Sequence, residues 1–389
     1  MKNRIYKYFF NEFLGFFCIS LFAFSLIVWT VQSVNFLDLV IDDGHAFTTY
    51  FLYSFLTISK IVTKLIPFCF LIAVVSTILK FERDNELIIC WASGLNKIKI
   101  VNLILYISLV IMVLQIILTT ILNPSLLNLS RSIIKNSQMD FLPSLLKERK
   151  FNDTIEGLTI FVDKKINNKS YQNIFIRDEG GVLSKVSELS STTFAKSGRI
   201  SEDKTKLILY NGNIQRLKLD GKVNFISFKK TVFNLGGLNT KSISLPKIQE
   251  TPTNIILQCL NGKNSVSGKL ADRYDFDLPR FKHNCDEKEK TLINLKIEIN
   301  KRFGMPFTIP LLSLICSFLL ASGKGKKTYS FLNKYVYLSL GFLTIIVSEI
   351  TVRYSGFSWV HTSLFYLVPI FLLPVFYLLL IKKFKYENV

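Results

Sequence analysis

The chain has 389 residues, 49% of them apolar and 13% aromatic, and a formal net charge of +20. A single soluble core is excluded, because the apolar residues crowd the first third and the last quarter while the middle is polar, Lys-rich and turn-rich. The charge does not read as a nucleic-acid footprint, since no basic stripe interleaved with aromatics occurs; an anionic lipid surface or anionic substrate suits it better.

Six stretches approach the roughly 20 apolar residues that a bilayer core of about 30 Å demands. They run from Phe9 to Val34, Tyr50 to Leu79, Ile100 to Leu122, Phe303 to Ala321, Tyr335 to Val352 and Thr362 to Ile381. The first is too long for a signal-peptide core and has no small-residue cleavage site, so it is expected to stay. Basic residues set the orientation. Lys2, Arg4 and Lys7 precede the first segment; Lys80, Arg83, Lys97 and Lys99 flank the second-to-third loop; Lys324, Lys326, Lys327 and Lys334 flank the fourth-to-fifth; Lys382, Lys383 and Lys385 end the chain. All four regions are expected in the cytoplasm, with Asp38, Asp42 and Asp43 on the other side. Both termini are then cytoplasmic and the long middle region lies outside.

Within the second segment, Lys60 and Lys64 are four residues apart and share a helical face. A charge in a membrane span usually faces a cavity or a partner. The pair is a candidate phosphate contact, with snorkelling or pairing to acidic residues as the alternative.

The loop FERDNELIICWASGLNKIK, Phe81 to Lys99, predicts a short amphipathic helix. Leu87, Ile88, Cys90 and Trp91 are spaced for one face, Asp84 stands near the start and Gly94 at the stop. Such a helix either rests on headgroups or docks into a groove on a soluble partner.

From Phe151 to Leu245 short β-branched and aromatic runs alternate with turn residues, as in GLTIFVDKK, YQNIFIRDE, KLILYNG, NIQRLKL and KVNFISFKK. Asp220-Gly221 and Asn211-Gly212 both read as two-residue hairpin turns. An antiparallel sandwich or jellyroll is expected, with a helix from Lys288 to Phe303 leading into the fourth membrane segment. The boundaries expected are 1–125 for three membrane helices, including the loop helix at about 81–97, 126–300 for the β domain and its connections, and 301–389 for three more helices.

Near the outer end of the fifth segment, Glu349 and Arg353 stand four apart and read as an ion pair, with Arg353 a further candidate substrate contact. SGKGKKTY, Ser322 to Tyr329, is no phosphate loop, because Lys326 rather than Gly precedes Lys327-Thr328 and no strand leads in. The six cysteines stand singly, without CxxC or neighbouring His, so no metal site is expected; Cys259 and Cys285 leave a disulfide open if the domain is in an oxidising compartment. With only His45, His283 and His361, histidine-based catalysis has little to work with.

The order Asp84-Asn85-Glu86-Leu87 followed by Ala92-Ser93-Gly94 resembles the D/S-E-L-x-x-L-R-A-x-G signature of the LptF/LptG (YjgP/YjgQ) permease family. RIYKYFFNEFLGFF at the start, Pro67 in the second segment, LYNGN and EINKRFGMPF also fit. WTVQSVNFLDLVIDDG, Trp29 to Gly44, is similar to the LptF branch of alphaproteobacteria. The resemblance implies six membrane helices, 3+3, around an inserted periplasmic jellyroll-like domain in a bacterial inner membrane. It implies the permease half of an ABC transporter for lipopolysaccharide, with an LptG-like sister permease, an LptB-like ATPase dimer and an LptC-like single-span protein. The chain itself would be no enzyme and hold no cofactor, ATP being used by the partner. By the same resemblance Asp84, Glu86, Leu87, Trp91 and Gly94 belong to the helix that couples to the ATPase. Trp91 stands where the family usually has Arg. Other membrane machines pair a β domain with helices, so a membrane insertase or assembly scaffold and a non-transporting sensor are the competing readings.

Overall fold

Apolar runs without water to satisfy their backbone must close their hydrogen bonds internally, and here they do so as helices. The structure is a computed structural model that describes residues 2–41, 46–136, 146, 148–155, 157–167, 170–179, 190–201, 206–217, 223–234, 247–260, 289–321 and 327–387. Before the sheet come α1 (Lys2–Asn35), α2 (Asp38–Ile41), α3 (Phe47–Leu56), α4 (Ile58–Arg83), α5 (Glu86–Ala92) and α6 (Lys97–Ile117). A π-helical turn, Leu118–Leu122, joins α6 to α7 (Asn123–Asn136). After it come α8 (Thr253–Leu260), α9 (Glu289–Gly304), α10 (Thr308–Ser317), α11 (Lys327–Tyr354) and α12 (Trp359–Glu387). Among the described residues six helical runs are long and apolar enough to cross a membrane: Arg4–Ile41, Phe47–Arg83, Lys97–Ile134, Thr291–Leu320, Lys334–Tyr354 and Trp359–Lys385. These are the six expected segments, and the lead-in helix expected at Lys288 to Phe303 is α9.

Two compact units emerge: residues 1–30, 57–128 and 247–389 make one, and residues 31–56 and 129–246 the other. In the first, α10 is the central helix, buried at every residue and packed on α4, α6, α11 and α12. Its polar residues are tolerated there because Ser313 and Ser317 donate to the Pro310 and Ser313 carbonyls, 2.6 and 2.7 Å away. Phe13, Phe70, Leu71, Ile78 and Ile104 belong to the same apolar cluster as its Leu312. Gly341 lets α11 approach α4, since a Cβ there would lie 2.5 Å from Leu71 Cδ1.

In the second unit the end of α1 is tied to α3 by Ser33 and Ser54 hydroxyls at 2.7 Å and by the Tyr50 hydroxyl donating to the Ser33 carbonyl at 3.0 Å. The β domain is a six-stranded antiparallel sheet in sequential order: β1 (Phe151–Ile155), β2 (Leu158–Asn167), β3 (Ser170–Asp178), β4 (Ser190–Ile200), β5 (Lys206–Leu217) and β6 (Val223–Asn234). One face buries Leu158, Ile160, Val162, Ile174, Ile176 and Leu209. The other carries a register-aligned row of Phe151, Phe161, Phe175 and Phe194, with neighbouring rings as close as 4.7 Å.

The expected hairpin turn at Asn211-Gly212 is not one. KLILYNG and NIQRLKL form a single strand, β5, with Asn211 at φ 51° in its middle. All the ladders from β2 to β6 skip pairing in one row, Asp163, Asn173, Lys196, Asn211 and Lys229, and Asn173 is likewise left-handed at φ 50°. Across this crease the buried positions change parity, from Thr193 and Ala195 to Gly198 and Ile200 in β4. The positive φ that suggested a turn instead sits in a row left unpaired on both strands, with the register unchanged on either side. Gly212 is needed there because a Cβ would sit 2.1 Å from the Phe194 carbonyl oxygen. The other expected turn, Asp220-Gly221, lies outside the described residues.

Burial pushes the Tyr171 phenol above its ordinary value of 10.0. The folded sheet holds the neutral form, so this contribution to stability is complete below pH 10 and is lost as pH rises through the raised folded-state value. Tyrosinate absorbance should lose one of its late-titrating groups in Tyr171→Phe, and an unchanged titration would contradict its burial.

Candidate functional sites: a loop helix and a polar crevice

The α4 to α6 connection reverses direction in a few residues. Asn85 takes φ 58° between α4 and α5, and Gly94 takes φ 79° after it. The Gly94 amide donates to the Trp91 carbonyl at 3.0 Å and the Leu95 amide to the Cys90 carbonyl at 3.1 Å, which closes the helix end with buried Leu95 as its apolar seal. Nothing lies within 4 Å of a Cβ at Gly94, so Gly94→Ala should cost about 1 kcal/mol from backbone strain alone, readable in thermal unfolding.

The α5 face differs from the expected one. Leu87 is buried and Cys90 and Trp91 are half-buried, but Ile88 and Ile89 point outward at 63% and 67% exposure. Positions 87, 90 and 91 make the inward stripe of α5, and Ile88 falls about 100° away from Leu87. Burial, with the Glu86 charge second, raises the Cys90 thiol above its ordinary value.

Behind α5 several contacts reach other helices. Glu86 accepts from the Tyr8 hydroxyl at 3.2 Å, and Phe81 meets the Tyr8 and Phe9 rings at 5.3 Å each. Lys80 pairs with Glu12 at 2.6 Å and Lys334 with Glu82 at 2.8 Å. The Lys97 ammonium lies 5.6 Å from the Trp91 ring centre and 5.7 Å from that of Phe384. Asp84 pairs with its neighbour Arg83, in an exposed pair at 3.3 Å. The loop is thus fastened to α1, α6, α11 and α12, while its apolar tip stays free.

At the opposite end of α4 lies a polar crevice of about 280 Å³. It brings Lys60 and Lys64 together with Gln115, Glu298, Lys301, Arg302 and Glu349. Four cationic side chains against two carboxylates leave a net charge of +2. Arg302, only 3% exposed, donates to Glu298 Oε1 at 3.0 Å, Thr253 Oγ1 at 2.8 Å and the Gln249 carbonyl at 3.1 Å. Lys301 pairs with Glu349 at 3.4 Å. Lys60 and Lys64 make no ion pair among the described residues, so the excess charge resides on them.

Pro67 explains a contact that sequence reading did not reach. Lacking an N–H, it leaves the Thr63 carbonyl without its helical donor, and Gln115 Nε2 of α6 supplies one at 3.0 Å. Asn123 Nδ2 donates to the Thr63 hydroxyl at 2.8 Å, and Ser59 bonds to Asn123 Oδ1. The Gln115 Oε1 atom is buried without a hydrogen-bond partner among the described residues.

Arg353 does not join this crevice, nor does it pair with Glu349 as expected. The four-residue spacing permits that pair, but Lys301 of α9 reaches Glu349 from within the half-buried crevice, while Arg353 is exposed and makes no ion pair among the described residues. Cys259 is disulfide-bonded; Cys18, Cys69, Cys90 and Cys316 are free, and Cys285 lies outside the described residues. So do His45, His283 and most of the Ser322 to Tyr329 segment.

An uncharacterized protein of Rickettsia prowazekii (strain Madrid E) is similar at 29% identity over 248 residues, which is 62% of this chain and 66% of that protein. The match thus spans a little under two thirds of the relative's length. The family described as Lipopolysaccharide export system permease LptF/LptG matches residues 7–383, nearly the whole chain and both sites just described. With its six membrane helices and inserted antiparallel sheet, the chain belongs to the LptF/LptG permease family.

Proposed function

We propose that this chain is the LptF-like half of an ABC transporter that lifts lipopolysaccharide out of the inner membrane and passes it to a periplasmic bridge. The observation that carries the coupling half of this reading is α5, which presents Ile88 and Ile89 outward while Glu86 is bonded to Tyr8 of α1 and Trp91 lies under Lys97 of α6, itself against Phe384 of α12. A soluble ATPase that grips this tip moves the bundle. ATP is hydrolysed on that partner, not here. Both termini and α5 are cytoplasmic and the sheet is periplasmic, a reading supported by the Lys and Arg at the loop ends and by the bonded state of Cys259. The three-part division at 1–125, 126–300 and 301–389 follows from this topology.

The crevice is the proposed station for the substrate's phosphates. Lys60 and Lys64 supply the uncompensated charge, and a phosphate gains charge-assisted hydrogen bonds there that water cannot outcompete in a half-buried site. Photoreactive residues at 60 and 64 are expected to crosslink to lipopolysaccharide, with labelling at least about tenfold above that of a lipid-facing control such as position 371. Equal labelling at the three positions would remove the crevice from the substrate path. The assembly is tested by purification from membranes in mild detergent, where an ATPase, a sister permease and a single-span protein should accompany this chain. Recovery of the chain alone would sink the transporter reading.

A further inference from the structure

Glu349 is the sole acidic side chain of the sequence from Phe303 to Tyr386. A carboxylate in a membrane span is costly unless it meets a cation, and α9 supplies one in Lys301. The two ion pairs of the polar crevice are nevertheless unlike. Arg302 and Glu298, one turn apart on α9, are locked at 3% and 14% exposure by a bond of 3.0 Å, and Thr253 and the Gln249 carbonyl take the other guanidinium donors. Lys301 and Glu349 join different helices through a contact of 3.4 Å, longer than the roughly 2.7–2.9 Å of a strong ammonium–carboxylate bond, and their side chains keep 30% and 39% exposure. The first pair is built to stay; the second is open to exchange.

Glu349 also works against the rest of the crevice. Without it the same lining would carry +3 rather than +2, so its carboxylate weakens the field that Lys60 and Lys64 offer an anion. It occupies the Lys301 ammonium as well, a further cation that an anion in the crevice could use. One turn along α11, Arg353 is exposed and makes no ion pair among the described residues. The four-residue spacing puts its guanidinium within reach of Glu349. The carboxylate therefore has two cations available and uses the one inside the crevice.

We propose that Glu349 is an exchangeable counter-ion of the crevice: it holds Lys301 while the site is empty, and when a substrate phosphate takes Lys301 it turns to Arg353. The inference rests on the crevice being the station for the substrate's phosphates. Lys301 then joins Lys60 and Lys64 as a phosphate ligand, and Glu349 keeps a partner in both states, so no bare carboxylate is left in the span. Because the resident carboxylate competes with the phosphate for one ammonium, it sets how readily the phosphate leaves. Passage through the site requires that release; storage does not. Arg353 is a positioning residue in this exchange, acting through Glu349 rather than on the substrate.

The test uses the intact complex in vesicles with lipopolysaccharide that carries a diazirine beside a headgroup phosphate, with adducts on 57–67 and 298–305 measured by peptide mass spectrometry. At limiting ligand, Glu349→Gln is expected to raise labelling about fivefold and to slow its loss in a chase with unlabelled lipopolysaccharide by a similar factor. Arg353→Gln should lower labelling about threefold while Glu349 is present and leave it unchanged in the Glu349→Gln background. Thermal unfolding of each variant, expected to shift little because both side chains are at least partly exposed, verifies that folded proteins are compared. Labelling that falls or stays level in Glu349→Gln overturns the proposal, since the pair with Lys301 is then structural. A loss in Arg353→Gln that persists in the double variant overturns it too, because Arg353 would then touch the substrate itself. Adducts absent from these peptides in every protein remove the crevice reading and this inference together, whereas adducts present without the expected order remove the inference alone.

Discussion

Arg302→Met is expected to destabilise the helical unit by about 3–5 kcal/mol, the largest single-residue effect we anticipate. The guanidinium is buried at 3% exposure and Glu298 at 14%, so removing the cation strands a carboxylate that solvent hardly reaches. Thr253 and the Gln249 carbonyl lose their partners as well. The change therefore loosens α9 from α8 and from the turn before it. Thermal unfolding in detergent measures the loss. Because the cost lies in the abandoned charge rather than in a strong attraction, Arg302→Met combined with Glu298→Leu should recover much of it. A double variant as unstable as the sum of its parts would contradict this account.

The second large effect is on assembly and leaves the fold intact. Ile88→Glu with Ile89→Glu replaces side chains that are 63% and 67% exposed, so unfolding should be nearly unchanged. If α5 docks into a groove, burying the two isoleucines contributes about 3–6 kcal/mol, and losing them weakens the ATPase by at least about a hundredfold. Co-purification of an ATPase with wild-type and variant chains is the readout. Undiminished recovery with the variant would remove α5 as the docking element. Glu86 and Leu87 would report something different, since one is bonded to Tyr8 and the other is buried. Changing them alters how the loop is fastened.

What could be read in advance was whatever obeys a local rule. Span lengths, the α9 lead-in and the shared face of Lys60 and Lys64 all follow from helical repeat and apolar run length. Errors arose where a local rule met a tertiary competitor. Glu349 and Arg353 satisfy the spacing for a pair, yet Lys301, 48 positions from Glu349 in the chain, takes the carboxylate. The NG dipeptide satisfies the rule for a tight turn, yet its positive φ is spent on a strand irregularity shared with β3. On α5 the apolar residues outnumber the positions that one face can bury, and no pattern says which will be left over. The bond from Gln115 to Thr63 was out of reach, because nothing in α4 records which helix will meet its proline.

The row from Asp163 to Lys229 constrains how this domain can change over generations. Strands β2 to β6 cross it with a swap of inward parity, and within it Asn173 Nδ2 reaches Asp163 Oδ2 at 3.1 Å. A residue inserted into one strand on either side would turn half of that strand inside out against neighbours that had not moved. Length variation is therefore confined to the hairpin ends, and the middle of the sheet can be inherited only as a block.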